Sequence, residues 1–259
     1  MNILDPSSPM PLYQQMVVQL QNRIASGEFA PRTFMPGEFD LSRSYGVSRI
    51  TARRALDELA VVGLVKRERG RGTSVLDRAG SNVMRTSIDG WLENIRLMQS
   101  TTDVRLLEFD YLKARPEVAC ALELPEGTEV QRSVRVRSFE GSPMSYLVCF
   151  LPGEIGRSFE ADDLNSKALM KLLEYAGHRV VAARQTISAA LATPDTAEAL
   201  GVYAGAPLLE VRRIALCSDE RVVQYIRALY RPELYHIEIA MTRKVVPGGS
   251  LWSAQEEVG

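Results

Sequence analysis

The chain has 259 residues, of which 46% are hydrophobic and 24% charged, and its net charge is −1. This length allows two domains, and the composition is that of a globular protein. No apolar run reaches the roughly 18 residues of a membrane span, and no basic start precedes an apolar core at the N-terminus, so we expect a cytoplasmic protein without a signal peptide.

The first two predicted elements are helices. Apolar residues recur at four-residue steps between Leu12 and Ile24, which predicts an amphipathic helix over 12–25. Gly27 is a typical residue to end that helix. The Pro36-Gly37 pair and Gly46 then bracket a second, shorter helix over 38–45.

A third helix follows a tight turn at Gly46. Ser48 is a suitable N-cap, because its hydroxyl can accept a hydrogen bond from a free amide of the first turn. Arg49 and Arg53 are four residues apart and share one face. We expect the buried side to be formed by Ile50, Ala55, Leu56, Leu59 and Val62. The pattern is that of a helix-turn-helix motif, in which the second helix contacts DNA. Arginines on that helix can form hydrogen bonds to guanine, or they can only neutralise phosphates without reading the sequence.

A basic hairpin is predicted over 64–75. Val65 and Val75 are its expected inward residues, and its tip is small, glycine-bearing and cationic. Such a tip suits a phosphate backbone or a minor groove, although a surface hairpin without a role in DNA binding is the alternative. Residues 41–75 hold eight basic and three acidic side chains, whereas acidic residues outnumber basic ones after residue 80. This asymmetry favours a DNA-binding module joined to a second domain, over a merely solvated basic face.

The segment from Leu12 to Val75, above all VSRITARRALDELAVVGLVKRERGRGTSV, resembles the winged helix-turn-helix domain of the GntR family of bacterial regulators. The resemblance implies DNA contacts from the recognition helix and the wing. The candidate residues are Arg43, Ser48, Arg49, Thr51, Arg53, Arg54, Arg69, Gly70 and Arg71. Two positions depart from the family pattern: Arg32 replaces a glycine, and Phe39 replaces an arginine that binds DNA. We therefore expect one base or phosphate contact either to be missing or to be supplied by another residue, for which Arg43 is the candidate.

An internal duplication follows a predicted linker over 76–88. With an offset of 78 residues, 114–127 matches 192–205, Arg135 aligns with Arg213, and Val148 aligns with Ile226. Each half reads as a short helix started by proline, a glycine turn and two strands joined by a polar turn. The repeat predicts a pseudo-symmetric α+β domain with a largely antiparallel sheet.

The aligned arginines are candidate ligand contacts. Strand alternation places Arg213 on an otherwise apolar face, where it needs an anionic partner: a ligand or a neighbouring carboxylate. Arg135 shares a polar face with Ser133 and Arg137, so simple exposure is the alternative for that residue.

Residues 89–245 resemble the UTRA ligand-sensing domain of the HutC subfamily, which is related in fold to chorismate lyase. The matching pieces include R.R…G.P at 135–143 and the run from Gln185 to Arg213. The resemblance implies an effector cavity in which Arg135 binds an anionic group of the effector and Tyr230 forms part of the wall. The candidate effector residues are Ser87, Arg135, Arg137, Arg213, Gln224 and Tyr230. The resemblance implies glutamates at two positions where this chain has Leu147 and Gln224. Their replacement favours an effector that is less polar outside its anionic group. Residues 246–259 are expected to be a flexible tail.

The sequence therefore predicts a winged helix-turn-helix domain over 1–75, a linker and a UTRA domain of α+β fold. We expect a homodimeric repressor whose affinity for a near-palindromic operator is controlled by a small anionic metabolite. The alternatives are a lyase-like enzyme with an appended DNA-binding module, and a DNA-binding protein without a ligand. His178 and His236 form no metal-ligand spacing or acid–base pair, and Cys120, Cys149 and Cys217 read as reduced core residues, so we expect no cofactor and no enzymatic activity.

Overall fold

The computed structural model describes residues 4–76, 84–87, 98, 101–239, 241–246 and 249–254. They form two compact units: one extends to residue 76, and the other holds nearly all described residues from 84 onward. No helix in these ranges is both long enough and apolar enough to cross a membrane.

The first unit packs three helices and a hairpin around one core. Its elements are α1 (Leu12–Ala25), α2 (Glu38–Tyr45), α3 (Arg49–Val61), β1 (Val65–Glu68) and β2 (Gly72–Val75). The strands are antiparallel, and Val65 pairs with Val75; both are buried, as the sequence predicts. Met16 and Leu20 of α1 are fully buried beside Leu56 of α3, so the hydrophobic stripes of the helices form the core.

The turn between α2 and α3 has the predicted capping geometry. Gly46 adopts a left-handed conformation (φ 65°), which a glycine reaches without strain. The hydroxyl of Ser48 accepts a hydrogen bond from the amide of Thr51 at 3.1 Å, which confirms Ser48 as the N-cap of α3. These two residues fix where α3 begins.

Two residues of this unit differ from simple expectation. Ile50 was expected in the core, but 79% of it is exposed. At 100° per residue, Ile50 points away from Ala52 and Leu56, so the prediction was wrong by helical geometry. Arg32 has a φ of +63°, which explains why a glycine is usual at this position.

The second unit is built on a six-stranded antiparallel sheet in the order β4-β5-β6-β9-β8-β7. Its helices are α4 (Pro116–Leu122), α5 (Gly153–Gly156), α6 (Ala161–Ser166), α7 (Leu169–Tyr175) and α8 (Pro194–Leu200). Its main strands are β4 (Thr102–Lys113), β5 (Glu129–Phe139), β6 (Ser142–Pro152), β7 (Val180–Leu191), β8 (Pro207–Cys217) and β9 (Val222–Tyr230). One face of the sheet and the helices α6 and α7 form the larger core.

The order of the strands in the sheet reflects the internal duplication. The halves β4-β5-β6 and β7-β8-β9 meet where β6 pairs with β9, and α4 and α8 occupy matching places before β5 and β8. Glycines 127 and 205, which are 78 residues apart, both have positive φ, at 76° and 87°. Glu123 and Gly201, which are also 78 residues apart, have positive φ angles of 56° and 64°. The predicted repeat is therefore a repeat of structure.

The ungapped alignment fails in the last strand of each half. Arg135 pairs with Leu147, whereas Arg213, 78 residues later, pairs with Ile226, so Ile226 corresponds to Leu147 rather than to Val148. Ile226 pairs with Cys149, and both belong to the larger core, whereas Val148 pairs with Arg227 on the other face. Aligning Val148 with Ile226 was wrong by one residue, because the second turn is longer and a one-residue shift reverses every side chain.

Three further expectations are corrected. Residues Met84–Ser87 (β3), within the predicted linker, pair in parallel with Tyr235–Glu238 (β10); residues 77–83 and 88 of that linker lie outside the described ranges. Gly249–Ala254 (β12), within the predicted tail, pairs with Met241–Val246 (β11). Cys120 is exposed, because it lies on the outer side of the short helix α4, while the other two cysteines are buried; all three are free thiols.

Candidate functional site

The exposed end of α3 presents the first group of candidate residues. Arg49 is exposed, and no other described residue pairs with its side chain. The hydroxyls of Ser48 and Thr51 lie 2.8 Å apart, so the cap also orients Thr51. Ile50 projects between these polar residues and is the most exposed large apolar side chain of the first unit's described residues. The start of α3 thus offers a cation, two hydroxyls and an apolar contact to a partner.

Arg53 is held by a carboxylate. Its Nε lies 3.1 Å from both carboxyl oxygens of Glu38, and Arg67 also pairs with Glu38. The hydrogen bond from Arg53, followed by that from Arg67, lowers the pKa of Glu38. Glu38 therefore joins α2, α3 and the hairpin, and it orients Arg53 while leaving it exposed.

Two other candidate arginines rest on aromatic rings. Arg54 lies 3.8 Å from the centre of the Tyr13 ring and donates a hydrogen bond to its hydroxyl at 3.1 Å, so it ties α3 to α1. Arg43 lies 4.8 Å from the centre of the Phe39 ring. Phe39, which stands at the position of the family's arginine, is 51% exposed and supports the exposed Arg43 instead.

The tip of the hairpin carries the last of these candidates. Arg69 and Arg71 are exposed and flank Gly70, whose φ of +79° allows the tight turn. Neither arginine side chain makes a hydrogen bond or an ion pair with another residue that the structure describes. The first unit therefore presents unneutralised arginines at the start of α3 and at the hairpin tip, and both are available to an anionic partner.

The second unit contains a cavity of about 930 Å³. It lies between the sheet face of the larger core and the helices α6 and α7. The described residues that line it are Met98, Thr102, Asp103, Val104, Arg135, Arg137, Leu147, Leu164, Asn165, Lys167, Ala168, Leu169, Met170, Lys171, Tyr175, Val211, Arg213, Gln224, Ile226, Ala228 and Tyr230. Five of the six predicted effector residues are therefore brought together. The side chain of Ser87, the sixth, lies outside the described part of the structure.

Arg135 and Arg137 form a buried cationic pair on β5. They are 5% and 8% exposed, so simple exposure of Arg135 is excluded. The Nε atoms of both are buried and have no hydrogen-bond partner among the residues that the structure describes, although Arg137 donates to the Thr102 hydroxyl at 2.6 Å. Burial lowers the pKa of both groups, that of Arg137 to about 10 with a further contribution from Arg135. Such a pair is strongly disposed to bind an anion.

The far side of the cavity holds Arg213 on β8. Its guanidinium donates to the side-chain oxygen of Gln185 at 2.9 and 2.5 Å. The Tyr230 ring is buried and stacks on Tyr235 with 4.0 Å between ring centres, and burial raises the pKa of Tyr230 to about 12. Gln224 donates to the thiol of Cys149 at 3.4 Å. Because its pKa is raised, the hydroxyl of Tyr230 is protonated at neutral pH and can donate a hydrogen bond.

The helices that cover the cavity were not predicted. Asn165, Lys167 and Lys171 line it from the α6–α7 segment, and Asp103 lines it from β4. Lys167 also forms an ion pair with Asp163 at 2.8 Å. The i, i+4 spacing of the two lysines was the available signal, but a pair of surface lysines is common on helices and does not indicate a ligand site.

Comparison with known families matches both units. Residues 12–75 match the family described as "Bacterial regulatory proteins, gntR family", and residues 98–236, more than half of the chain, match the UTRA domain. The matched ranges contain the arginine-bearing surface and the cavity-lining residues described above.

Individual relatives agree with this assignment. The HTH-type transcriptional repressor NagR of Bacillus subtilis (strain 168) is 27% identical over 235 residues, which is 91% of this chain and 96% of that protein. The HTH-type transcriptional regulator GgaR of Escherichia coli (strain K12) is 26% identical over 228 residues, 87% of this chain and 89% of its own.

Solved structures show the same fold. The ligand-binding domain of a GntR-family regulator from Bordetella bronchiseptica is 33% identical, with a TM-score of 0.52 over 54% of this chain and 89% of its own. The transcriptional regulator YydK from Bacillus subtilis, at 20% identity and a TM-score of 0.55, covers 90% of this chain and all of its own. The chain belongs to the gntR family of bacterial regulatory proteins, as a DNA-binding transcriptional regulator with a C-terminal UTRA domain.

Proposed function

We propose that this regulator is a homodimeric repressor whose affinity for a near-palindromic operator is controlled by a small anionic metabolite bound in the UTRA cavity. The observation that carries this proposal is the buried pair Arg135 and Arg137, which lines a cavity of about 930 Å³ and whose Nε atoms have no hydrogen-bond partner in the described part of the chain. A buried guanidinium is stable only when an anion or a hydrogen-bond acceptor compensates it. The name of the relative NagR, a transcriptional repressor, supports repression as the outcome.

The operator contacts come from the first unit. Arg49 is positioned to read a guanine, and the exposed Ile50 beside it is suited to pack against a thymine methyl group. Arg43, Arg53, Arg69 and Arg71 would neutralise phosphates, with Glu38 orienting Arg53. We assign Arg54 a structural role through Tyr13 rather than a DNA contact.

The second copy docks on β7, at one open edge of the six-stranded sheet. Eleven of its twelve residues are at least partly exposed, although the strand contains a single charged residue, Arg184. Val181 and Leu191 are 55% and 69% exposed. The other edge, β4, carries five charged residues, which is how proteins protect an exposed strand edge. An apolar, unprotected edge can pair with its own copy about a two-fold axis, and such a dimer matches a near-palindromic operator.

A thermal-shift screen of the full chain against organic acids and phosphate esters tests the effector assignment. We expect at least one anion to raise the melting temperature, because a ligand that binds the folded state stabilises it by mass action. Arg135→Met should remove that shift. The exposed Arg105 on β4 lies outside the cavity, so Arg105→Gln is the matched control and should keep the shift. If no anion shifts the transition across a broad panel, the cavity is not an anion-sensing site.

A further inference from the structure

The sheet wall of the cavity carries positive charge at two separate places, and Lys167 and Lys171 add charge from the segment that covers it. Arg135 and Arg137 lie on β5, whereas Arg213 lies on β8, and the strands β6 and β9 run between them. Neighbouring strands are about 4.8 Å apart, which separates the backbones of β5 and β8 by about 14 Å. The two cationic positions therefore stand on opposite sides of one cavity.

The electrostatics of the two positions are distinct. The charge of Arg135 contributes to lowering the pKa of Arg137, so these two groups act as one pair. Burial also lowers the pKa of Arg213, where the neighbouring contributions come from Tyr230 and Tyr235. Gln185 holds the Arg213 guanidinium by two hydrogen bonds through a neutral amide oxygen. Arg135 and Arg137 thus form one cationic position on the sheet, and Arg213 forms the other.

The floor between the two positions is apolar. Leu147 on β6 and Ala228 on β9 are paired across the strands, directly beside Arg135, and Ile226 is paired with Arg213. All three line the cavity and belong to the larger core. The floor suits a hydrocarbon segment.

We propose that the effector is an α,ω-dicarboxylate. One carboxylate binds Arg135 and Arg137, the other binds Arg213, and the hydrocarbon segment lies over Leu147, Ile226 and Ala228. Guanidinium groups bind carboxylates through paired, charge-assisted hydrogen bonds, and a ligand with one anionic end can engage only one of the two positions. This inference rests on the proposed function, because it takes the cavity as the effector site.

Titration calorimetry on the full chain tests the inference. The probes are succinate, adipate, suberate and sebacate, with butanoate, hexanoate, octanoate and decanoate as monoanions of the same chain lengths. We expect one of these dicarboxylates to bind at least about tenfold more tightly than its matched monoanion, a difference of about 1.4 kcal/mol. Arg213→Gln should remove this preference. Arg213→Lys, which keeps the charge but loses the paired donors, should keep part of it and serves if the glutamine variant does not fold.

The outcomes separate the two proposals. If matched monoanions bind as tightly as dicarboxylates, or if the Arg213→Gln protein folds and keeps the full preference, the two-ended ligand is wrong and an anionic effector is retained. If no carboxylate binds but a phosphate ester does, the dicarboxylate class is wrong and the proposed function stands. If no anion of either class binds, both proposals are wrong. The exposed charge-removal variant Arg105→Gln should behave as the wild type in each titration.

Discussion

Phe39 supports a neighbouring cationic side chain, because its ring centre lies 4.8 Å from the guanidinium of Arg43. The family resemblance implies an arginine at position 39, so we expect Arg43 to supply the DNA contact that Phe39 cannot make. An exposed cation–π contact is worth about 0.5 to 1 kcal/mol, enough to favour one orientation of a long side chain. Phe39 is therefore a positioning residue, and Arg43 is the residue expected to contact a phosphate.

Phe39→Ala should weaken operator binding by about 0.5 to 1 kcal/mol, through the loss of this orientation. The loss should be equal for all DNA sequences, since a phosphate contact carries no base preference. Fluorescence anisotropy on operator variants measures it. Phe39→Tyr should retain affinity, and the double variant with Arg43→Ala should lose no more than Arg43→Ala alone. Additive losses would show that the two side chains act independently.

By contrast, Arg49→Ala should change base preference at one operator position.

Glu123 and Gly201 provide a matched test of backbone strain. Both follow a short helix in a left-handed conformation, and they occupy equivalent places in the two halves. A residue with a Cβ is disfavoured there by roughly 1 kcal/mol relative to glycine. The ion pair of Glu123 with Arg184 joins two well-exposed side chains and contributes little.

We therefore expect Glu123→Gly to raise the free energy of unfolding by about 0.5 to 1 kcal/mol and Gly201→Ala to lower it by about 1 kcal/mol. Urea unfolding of the full chain, followed through the transition of the second unit, measures both. No described atom lies within 4 Å of a Cβ built on Gly201, so the second change reports backbone conformation alone. Destabilisation by Glu123→Gly would show that side-chain contacts of Glu123 outweigh its backbone strain.

At the scale of elements, local signals explain most of what could be predicted. Helices α1 to α3 were predictable because caps and turns mark their ends: Ser48 accepts the predicted hydrogen bond, and Gly46 is left-handed. The duplicated strands were predictable because glycine turns recur at a fixed offset. The longer turn before β9 was not, since a one-residue change in a hairpin leaves the hydrophobic pattern almost unaltered while reversing the faces.

The candidate site was predictable only where it lies on strands with a marked pattern. Arg135 and Arg213 were found through the repeat and their alternation with neighbours, and both line the cavity. The α6–α7 cover was missed because short helices carry few periodic residues, and their position over the sheet depends on contacts distant in sequence. The exposure of Ile50 was missed because it is apolar and adjacent to a buried helix face.

The apolar edge strand β7 carries the prediction on assembly. Ile187→Lys places a charge at the middle of this edge, on a side chain that is 39% exposed. It should weaken the dimer, because charged residues on an exposed strand oppose edge pairing. Sedimentation velocity over a range of concentrations measures the effect. Leu107→Lys on the opposite edge, where the leucine is 36% exposed, is the control and should leave the dimer intact. If Leu107→Lys weakened the dimer and Ile187→Lys did not, the second copy would dock on β4 instead.

At the scale of the whole molecule, the two units have separate proposed tasks. In the proposal, the arginines of the first unit contact DNA, and the cavity of the second unit binds an anion between β5 and β8. A ligand can change operator affinity only through a difference in its affinity for the DNA-binding and non-binding states. The cavity arginines therefore matter for regulation only if their occupation is energetically coupled to operator binding.

The most direct test of this coupling is operator affinity with and without the effector, in the wild type and in Arg135→Met. Fluorescence anisotropy on DNA selected from a random pool, with the anion that gives the largest thermal shift, provides the measurement. We predict that the anion changes wild-type affinity by at least about fivefold, as is usual for allosteric coupling, and leaves the affinity of the variant unchanged. An equal response in both proteins, or no response in the wild type to an anion shown to bind the cavity, would contradict the account.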